Sequence, residues 1–370
     1  MEFKIDSSVL KDCLIKIQGG LGGHTLGAQH VKMSVGDGVA AFYTNNIKIG
    51  YAAILSDVTI KEGGEAVVDG ESLIRFISGA VAKELTLERK GNDLFIHDGK
   101  RLVKLSVLSS EEFTMPQMAE ETVAEIDINL FKVVLKAALP MAAADGTIFD
   151  GIYMSNEHII STDRNKAAVI DFKSTLKEPI IFTKEAAREM LKIPYEGKIM
   201  LKSNGNVLTV GIEGETESLM LTMKLLFGEF PDVKGLLTSF GFIEYVSIPI
   251  EGFYSEINYI ALISNNPNQM CVMTVKDDGT IGLEAYANME TNRSYAEVDF
   301  DLGDSIIPDE PFVFNMRIAN IGNMLRSIKD FTEGMSVSDG KLRIYFDETN
   351  KPIKVEVKGM TQLLSAIKSE

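Results

Sequence analysis

Apolar and polar positions alternate through Glu2-Phe3-Lys4-Ile5-Asp6 and then take up the spacing of an amphipathic helix from Ser7-Ser8-Val9-Leu10 onward. The same change of period occurs at Glu125-Ile126-Asp127-Ile128-Asn129-Leu130-Phe131 and at Val246-Ser247-Ile248-Pro249-Ile250-Glu251-Gly252-Phe253. These strand-to-helix units recur about every 120 residues, the signature of an internal repeat. A second unit follows each: Glu65 to Ile74, Pro179 to Glu185, and Pro311 to Arg317. Helices are therefore predicted roughly every 60 residues, six in all. Asp6 or Ser7, Asn129, Thr183 and Asn315 offer side-chain acceptors to the first free amides of four of them. Behind each second helix a hairpin is expected: Leu85 to Val107 around Gly91-Asn92-Asp93, Ile199 to Met223 around Asn204-Gly205-Asn206, and Met335 to Val357 around Asp339-Gly340. The repeating unit is β-α-β-β-β, used twice per domain. It predicts an α+β chain of three tandem domains, 1–120, 121–244 and 245–370, with boundaries near Met118 to Val123 and Phe240 to Tyr245.

Composition agrees with this: 370 residues, 45% hydrophobic and 24% charged, is too long for one ordinary globular domain. No run of about eighteen apolar residues occurs, and the first residues lack a basic-then-apolar leader, so a cytoplasmic protein without membrane contact is expected. Cys13 and Cys271 sit in apolar runs without a CxxC partner and read as two reduced, packed thiols, not as a disulfide or a metal site.

Charge changes the picture more. The net charge is −16, which taken alone argues against contact with nucleic acid. The six helical windows, however, hold 12 Lys and Arg against 10 Asp and Glu, leaving 25 against 43 for the rest of the chain. The helices escape the acidity of the sheets and loops. Lys132 and Lys136 stand at i, i+4, and Lys184, Arg188 and Lys192 at i, i+4, i+8, each a stripe along one helix face. Such a stripe can follow a phosphate backbone without reading bases, or it is a solvated outer face with Glu185 and Glu189 as local partners. The fifth helix, with Glu251 and Glu256 and no Lys or Arg, makes any nucleic-acid contact uneven.

Several local motifs, taken with the triplication, resemble the bacterial DNA polymerase III beta sliding clamp family over essentially the whole chain. Gly19-Gly20-Leu21-Gly22-Gly23-His24-Thr25-Leu26 is similar to the family's glycine-rich turn, with His24 where the family places a DNA-touching arginine. Glu229-Phe230-Pro231-Asp232 resembles the Phe-Pro-Asp that closes the second domain, and Phe113-Thr114-Met115-Pro116 a looser version closing the first. Leu262-Ile263-Ser264-Asn265 resembles Ile-Leu-Ser-Asn, while Asp150-Gly151 and Ser161-Thr162-Asp163 stand where the family has Asn-Gly and Ala-Thr-Asp. The sequence departs from the pattern at Arg164-Asn165-Lys166-Ala167, where the family has Gly-His-Arg-Leu. At the C-terminus, Val357-Lys358-Gly359-Met360 replaces Met-Pro-Met-Arg-Leu and is followed by an extension, Thr361 to Glu370.

The resemblance implies a non-catalytic processivity factor without cofactor or metal. In it, two chains close head to tail into a ring around double-stranded DNA and tether the replicative DNA polymerase, the clamp loader and other proteins that carry a clamp-binding motif. It also implies roles for residues. DNA-facing positions would be His24, Lys11, Lys16, Arg75, Lys83, Lys132, Lys136, Lys184, Arg188, Lys192, Arg317 and Arg326. The partner-peptide pocket would be walled by Phe149, Thr162, Arg164, Lys166, Ala167, Phe242, Asn315, Val355, Val357 and Met360. The homodimer interface would join Leu262 and Ile263 to Leu73, Phe76, Leu105 and Leu108.

Two other readings stay open. A clamp-like scaffold that binds proteins and is not loaded on DNA would keep the repeats without the cationic helix faces. A metal-assisted hydrolase would need Asp145, Asp150 and Asp163 to converge, although Asp is also favoured at turns for its own backbone hydrogen bonds. The glycine-rich stretch follows a helix and fits no phosphate-binding loop. His24, His30, His97 and His158 lack metal-binding spacing, and His30 and His158 read as satisfied structural residues.

Overall fold

The computed structural model describes residues 1–22, 26–262, 270–288, 292–307, 311–337, 340–348 and 351–366. All six predicted helices are present: α1 (Ser7–Ile17), α2 (Gly70–Ser78), α3 (Ile128–Ala138), α4 (Lys184–Leu191), α6 (Ile250–Ala261) and α7 (Ile318–Gly334). A short α5 (Val233–Thr238) is additional and begins where Asp232 accepts the Gly235 amide. In α1 the residues Leu10, Cys13, Leu14 and Ile17 form the buried face, the i, i+3, i+4, i+7 stripe of a helix laid on a sheet.

Asp6 caps α1 by accepting the Ser8 amide at 2.8 Å, and Thr183 caps α4 by accepting the Ala186 amide at 3.1 Å. Asp69 does the same for α2. Two expected caps are corrected. Asn129 lies inside α3, which starts at Ile128. Asn315 belongs to the strand Phe312–Arg317, and α7 starts three residues later without a side-chain cap.

The strands form four antiparallel sheets of five, eight, eight and four strands among the described residues. Contacts divide the chain into two compact units, Met1–Ile128 with Arg188–Leu225, and Asn129–Ala187 with Leu226–Glu370. In the first unit, the strand Ile49–Leu55 pairs antiparallel with Glu217–Lys224 from Glu217↔Leu55 to Met223↔Ile49. In the second, the strand Lys166–Asp171 pairs with Met360–Leu364 from Lys166↔Leu364 to Ile170↔Met360. Each eight-stranded sheet thus draws strands from two of the sequence repeats. The hairpin tips at Gly91-Asn92 and Asn204-Gly205-Asn206 are as expected. The third is not: α7 runs to Gly334, Gly340 leads straight into the strand Lys341–Phe346, and the turn lies beyond that strand. Asp339 lies outside the described residues.

Within the first unit, Gly19 and Gly20 are required by close approach. A Cβ at Gly19 would stand 2.1 Å from Glu189 Oε2, and one at Gly20 2.3 Å from Thr44 Oγ1. Glu189 is buried there, accepting the Tyr51 hydroxyl at 2.9 Å. The Lys16 ammonium pairs with Glu217 in the same unit.

Both cysteines are buried and free. Burial pushes the Cys271 thiol up to about 12, and burial followed by the Glu217 carboxylate pushes Cys13 up as well. Thiolate is the reactive form. Neither thiol should therefore react appreciably with a maleimide at pH 8 in the folded protein, at rates on the order of a thousandfold below a free cysteine, and both should react in denaturant. Fast labelling of native protein by mass spectrometry would contradict this placement.

Candidate functional site

Helices α1, α2, α3, α4 and α7 carry most of the cations predicted to face DNA, while Lys83 follows α2, Lys192 follows α4 and Arg317 ends the strand before α7; the structure sorts them by what holds them. Lys11, Lys83, Arg188, Arg317 and Arg326 are exposed and form no ion pair among the described residues. Arg75 pairs with Glu71 one turn away, and Lys136 pairs with Asp330 of α7 at 2.8 Å. Lys16 is half-buried against Glu217, and Lys132 is half-buried on α3. His24 lies outside the described residues.

The stripe Lys184, Arg188, Lys192 is not realised as a stripe. Lys184 turns inward and donates to the Ala142 carbonyl at 2.8 Å, while α4 ends at Leu191 and leaves Lys192 beyond the helix, paired with Glu189 at 2.6 Å. Only Arg188 remains as an open cation on α4. An exposed ion pair such as Arg75–Glu71 is weak, so Arg75 can exchange its partner for another anion, whereas Asp330, the partner of Lys136, is only 17% exposed.

The second unit carries an apolar cluster on one sheet face, the candidate groove. The strands His158–Thr162, Lys166–Asp171 and Met360–Leu364 lie side by side, with Thr162 opposite Ala167 and Ala167 opposite Leu363. Ile160, Ala167, Val169 and Leu363 project from one face of this sheet and pack with Val233 of α5; Tyr153, Phe230, Leu237 and Phe242 border them, partly open. Phe230 stacks on Tyr153 with centroids 5.4 Å apart. At the rim the Arg164 guanidinium lies over the Phe149 ring, 3.9 Å from its centroid, and donates to Asp145 at 2.9 Å. Arg164 holds a backbone φ of 78°, unusual for a residue with a side chain. Lys354 lies 5.4 Å over the Phe242 ring. Buried small and aliphatic residues bordered by aromatic edges and cationic groups have the chemistry that suits an apolar peptide anchor.

Of the predicted pocket residues, Phe149, Thr162, Arg164, Ala167 and Phe242 come together here. Five do not. Strand alternation puts Lys166 on the other face with Ala168, where it is buried against Asp163. Val355 pairs with Gln362, and Val357 with Met360, so these three residues share the face opposite Leu363. Asn315 lies in a different sheet, paired with Val272. The cause is the segment after Gly359. It is the strand Met360–Leu364, which fills the place beside Lys166–Asp171 and brings Leu363 to the groove. Tyr153, Phe230, Val233, Leu237 and Leu363 were missed. The Phe-Pro-Asp at 230–232 carried a usable signal, since it starts the helix that walls the groove.

Of the dimer residues, Leu262 is 79% exposed, Phe76, Leu105 and Leu108 are half-buried, and Ile263 lies outside the described residues. Leu73 is fully buried in the core face of α2 and is unavailable to a partner. The histidine reading also changes: His30 Nδ1 is buried without a partner, while His158 stands 3.7 Å from Asp171 and 3.8 Å from Glu157. Asp145 and Asp163 are engaged locally, by Thr147 and Arg164 and by the Asn165 and Lys166 amides. No group of three His, Cys, Asp or Glu residues is placed to hold a metal ion among the described residues. No described helix is long and apolar enough to cross a membrane.

No protein-family model and no curated protein matches the sequence. Solved structures do match. The DNA polymerase sliding clamp from Bacillus subtilis is similar over 100% of both chains with a TM-score of 0.87 at 15% identity. The DNA polymerase III subunit beta from Pseudomonas aeruginosa gives 0.86 at 13%, and the Helicobacter pylori beta clamp bound to a DNA ligase peptide 0.82 at 17%, each over 100% of both chains. From its first described strand to its last, this chain has the fold of the bacterial DNA polymerase III beta sliding clamps.

Proposed function

We propose that this chain is a DNA sliding clamp: a non-catalytic processivity factor that closes into a ring as a head-to-tail homodimer, encircles duplex DNA without reading sequence, and tethers a polymerase and other partners through the groove. The reading keeps three tandem domains, 1–120, 121–244 and 245–370. The observation that carries it is the way the repeats share sheets. In each seam the last strand of one β-α-β-β-β unit pairs with the last strand of another: Ile49–Leu55 with Glu217–Lys224, and Lys166–Asp171 with Met360–Leu364. The two units left over end in Arg101–Ser106 and Asn292–Asp299, the edge strands of the five-stranded and four-stranded sheets. A long open edge invites pairing with another chain. By the logic of the other two seams these edges belong together, and a second copy supplies each with its partner. One edge carries Arg101 and Lys104, the other Glu297 and Asp299 with one cation, Arg293, so the two edges have opposite net charge.

The ring also gives the uneven charge a role, with weakly cationic helices turned to the duplex and acidic sheets repelling DNA from outside. Exposed Lys11, Arg188, Arg317 and Arg326 favour DNA loading over the scaffold reading.

In solution the parent should weigh twice the 40.7 kDa chain. Burying a leucine contributes about 1.5–3 kcal/mol, so Leu105→Asp with Leu262→Asp should convert the dimer to monomers by light scattering without changing the thermal melt of each chain. A dimer that survives both substitutions places the interface elsewhere.

A further inference from the structure

The sheet that carries the groove has a second face. Ser161, Ala168 and Gln362 form a cross-strand row next to the groove residues, each fully buried and each projecting opposite to Ala167 and Leu363. Ser161 Oγ donates to the Ala138 carbonyl at 2.9 Å. Gln362 Nε2 donates to Ser327 Oγ of α7 at 2.7 Å, and Ser327 Oγ donates to the Ala137 carbonyl at 2.5 Å. Ala137 and Ala138 are the last two residues of α3, which passes directly into a 3-10 turn, Leu139–Met141. The C-terminus of α3 is thus capped by hydroxyls from the groove sheet and from α7. Lys136 of α3 pairs with Asp330 of α7, so one side of the helix is tied to the same neighbours. Gln362 Oε1, in the same row, is buried without a partner. A buried network left part-satisfied has another arrangement to gain.

We propose that this row couples the groove to α3: filling the groove on one face of the sheet shifts the hydrogen bonds on the other and reseats the helix that carries Lys132 and Lys136. Neighbouring residues of one strand serve the two faces, and a close-packed sheet passes a displacement across its pleat instead of absorbing it. Ser161, Ser327 and Gln362 act here as positioning residues. The consequence for a clamp rests on the function proposed above: a partner segment in the groove and a duplex against α3 would each alter the affinity for the other, by the same factor.

The test reads amide hydrogen exchange over residues 128–141 of the full-length protein by mass spectrometry, with Ala167→Trp filling the groove from within. Exchange in α3 is expected to change about fivefold or more, and the change should vanish when the same substitution is made together with Ser161→Ala and Gln362→Leu. Unaltered exchange on filling the groove overturns the coupling. So does an equal change without the row. Should the tryptophan variant lose its cooperative melt, Ala167→Met is read in the same way. A synthetic pentapeptide with Gln first and Leu-Phe last, added to the parent, reports separately. If it binds, it must reproduce the change in α3. If it does not bind, the partner reading of the groove fails, while the filled variants still decide the coupling on the protein alone.

Discussion

Loaded onto a nicked circular duplex, the protein is expected to stay bound in salt that screens direct contacts, and to leave within the dead time of a spin column once the circle is cut. A protein held by six or more phosphate contacts loses roughly a thousandfold in affinity between about 50 and 200 mM salt. A closed ring has no such dependence, because what retains it is the continuity of the DNA. The uneven cationic surface leads to the same expectation. Only Lys11, Lys83, Arg188, Arg317 and Arg326 among the predicted contacts are exposed and without an ion pair among the described residues, too sparse a set for tight binding through charge alone. Charge should matter for loading, where the duplex is still free to leave. Lys11→Glu, Arg188→Glu and Arg326→Glu together should slow loading without altering retention on closed circles. Equal retention on linear and circular DNA would remove the ring from the account, and unaltered loading in the triple variant would remove these helices from it.

The six long helices and the recurrence of the β-α-β-β-β order are legible in the sequence because each rests on a local signal: a change of period, a cap, a Gly/Asn turn. Asp6 and Thr183 cap as expected for that reason. What was not legible depends on partners far along the chain. Lys16 looks like a free helix cation until Glu217, 201 residues away, takes it. Lys184 fits a stripe until its ammonium finds the Ala142 carbonyl 42 residues earlier. The C-terminal misreading has the same origin. Met360-Thr361-Gln362-Leu363-Leu364 has no alternation clear enough to mark a strand alone, and its place is set by pairing with Lys166–Asp171. Only the register of that strand shows that Val355, Val357 and Met360 share the face opposite Leu363, since a strand shows its faces only once its register is known.

The corrected groove makes Ala167→Trp the most severe single change expected for partner binding. Ala167 is buried at the floor between Leu363, Val169 and Val233, with Phe242 alongside, and it stands where the resemblance to the clamps implies a leucine. The smaller side chain takes up less depth than a leucine would, and the aromatic border of Tyr153, Phe230 and Phe242 suits a Phe or Leu side chain. Hot-spot anchors cost about 2 kcal/mol or more when blocked, which is about thirtyfold in Kd. An indole at position 167 occupies that depth, and overpacking of this kind costs about 1–3 kcal/mol of stability, a loss that a protein of this size survives. Binding of the pentapeptide, followed by fluorescence anisotropy, should therefore fall below detection while light scattering still shows the dimer, because residue 167 lies in a seam made within one chain. Arg164→Ala should act more gently. It removes the guanidinium stacked 3.9 Å over Phe149 but leaves the floor intact, so the affinity should fall about three- to tenfold, in the range of a cation–π contact at a partly open site. If Ala167→Trp binds the peptide as tightly as the parent does, the anchor enters elsewhere and the groove is not the partner site. If Arg164→Ala proves the more damaging of the two, the rim and not the floor carries recognition, and the peptide's polar groups outweigh its apolar ones.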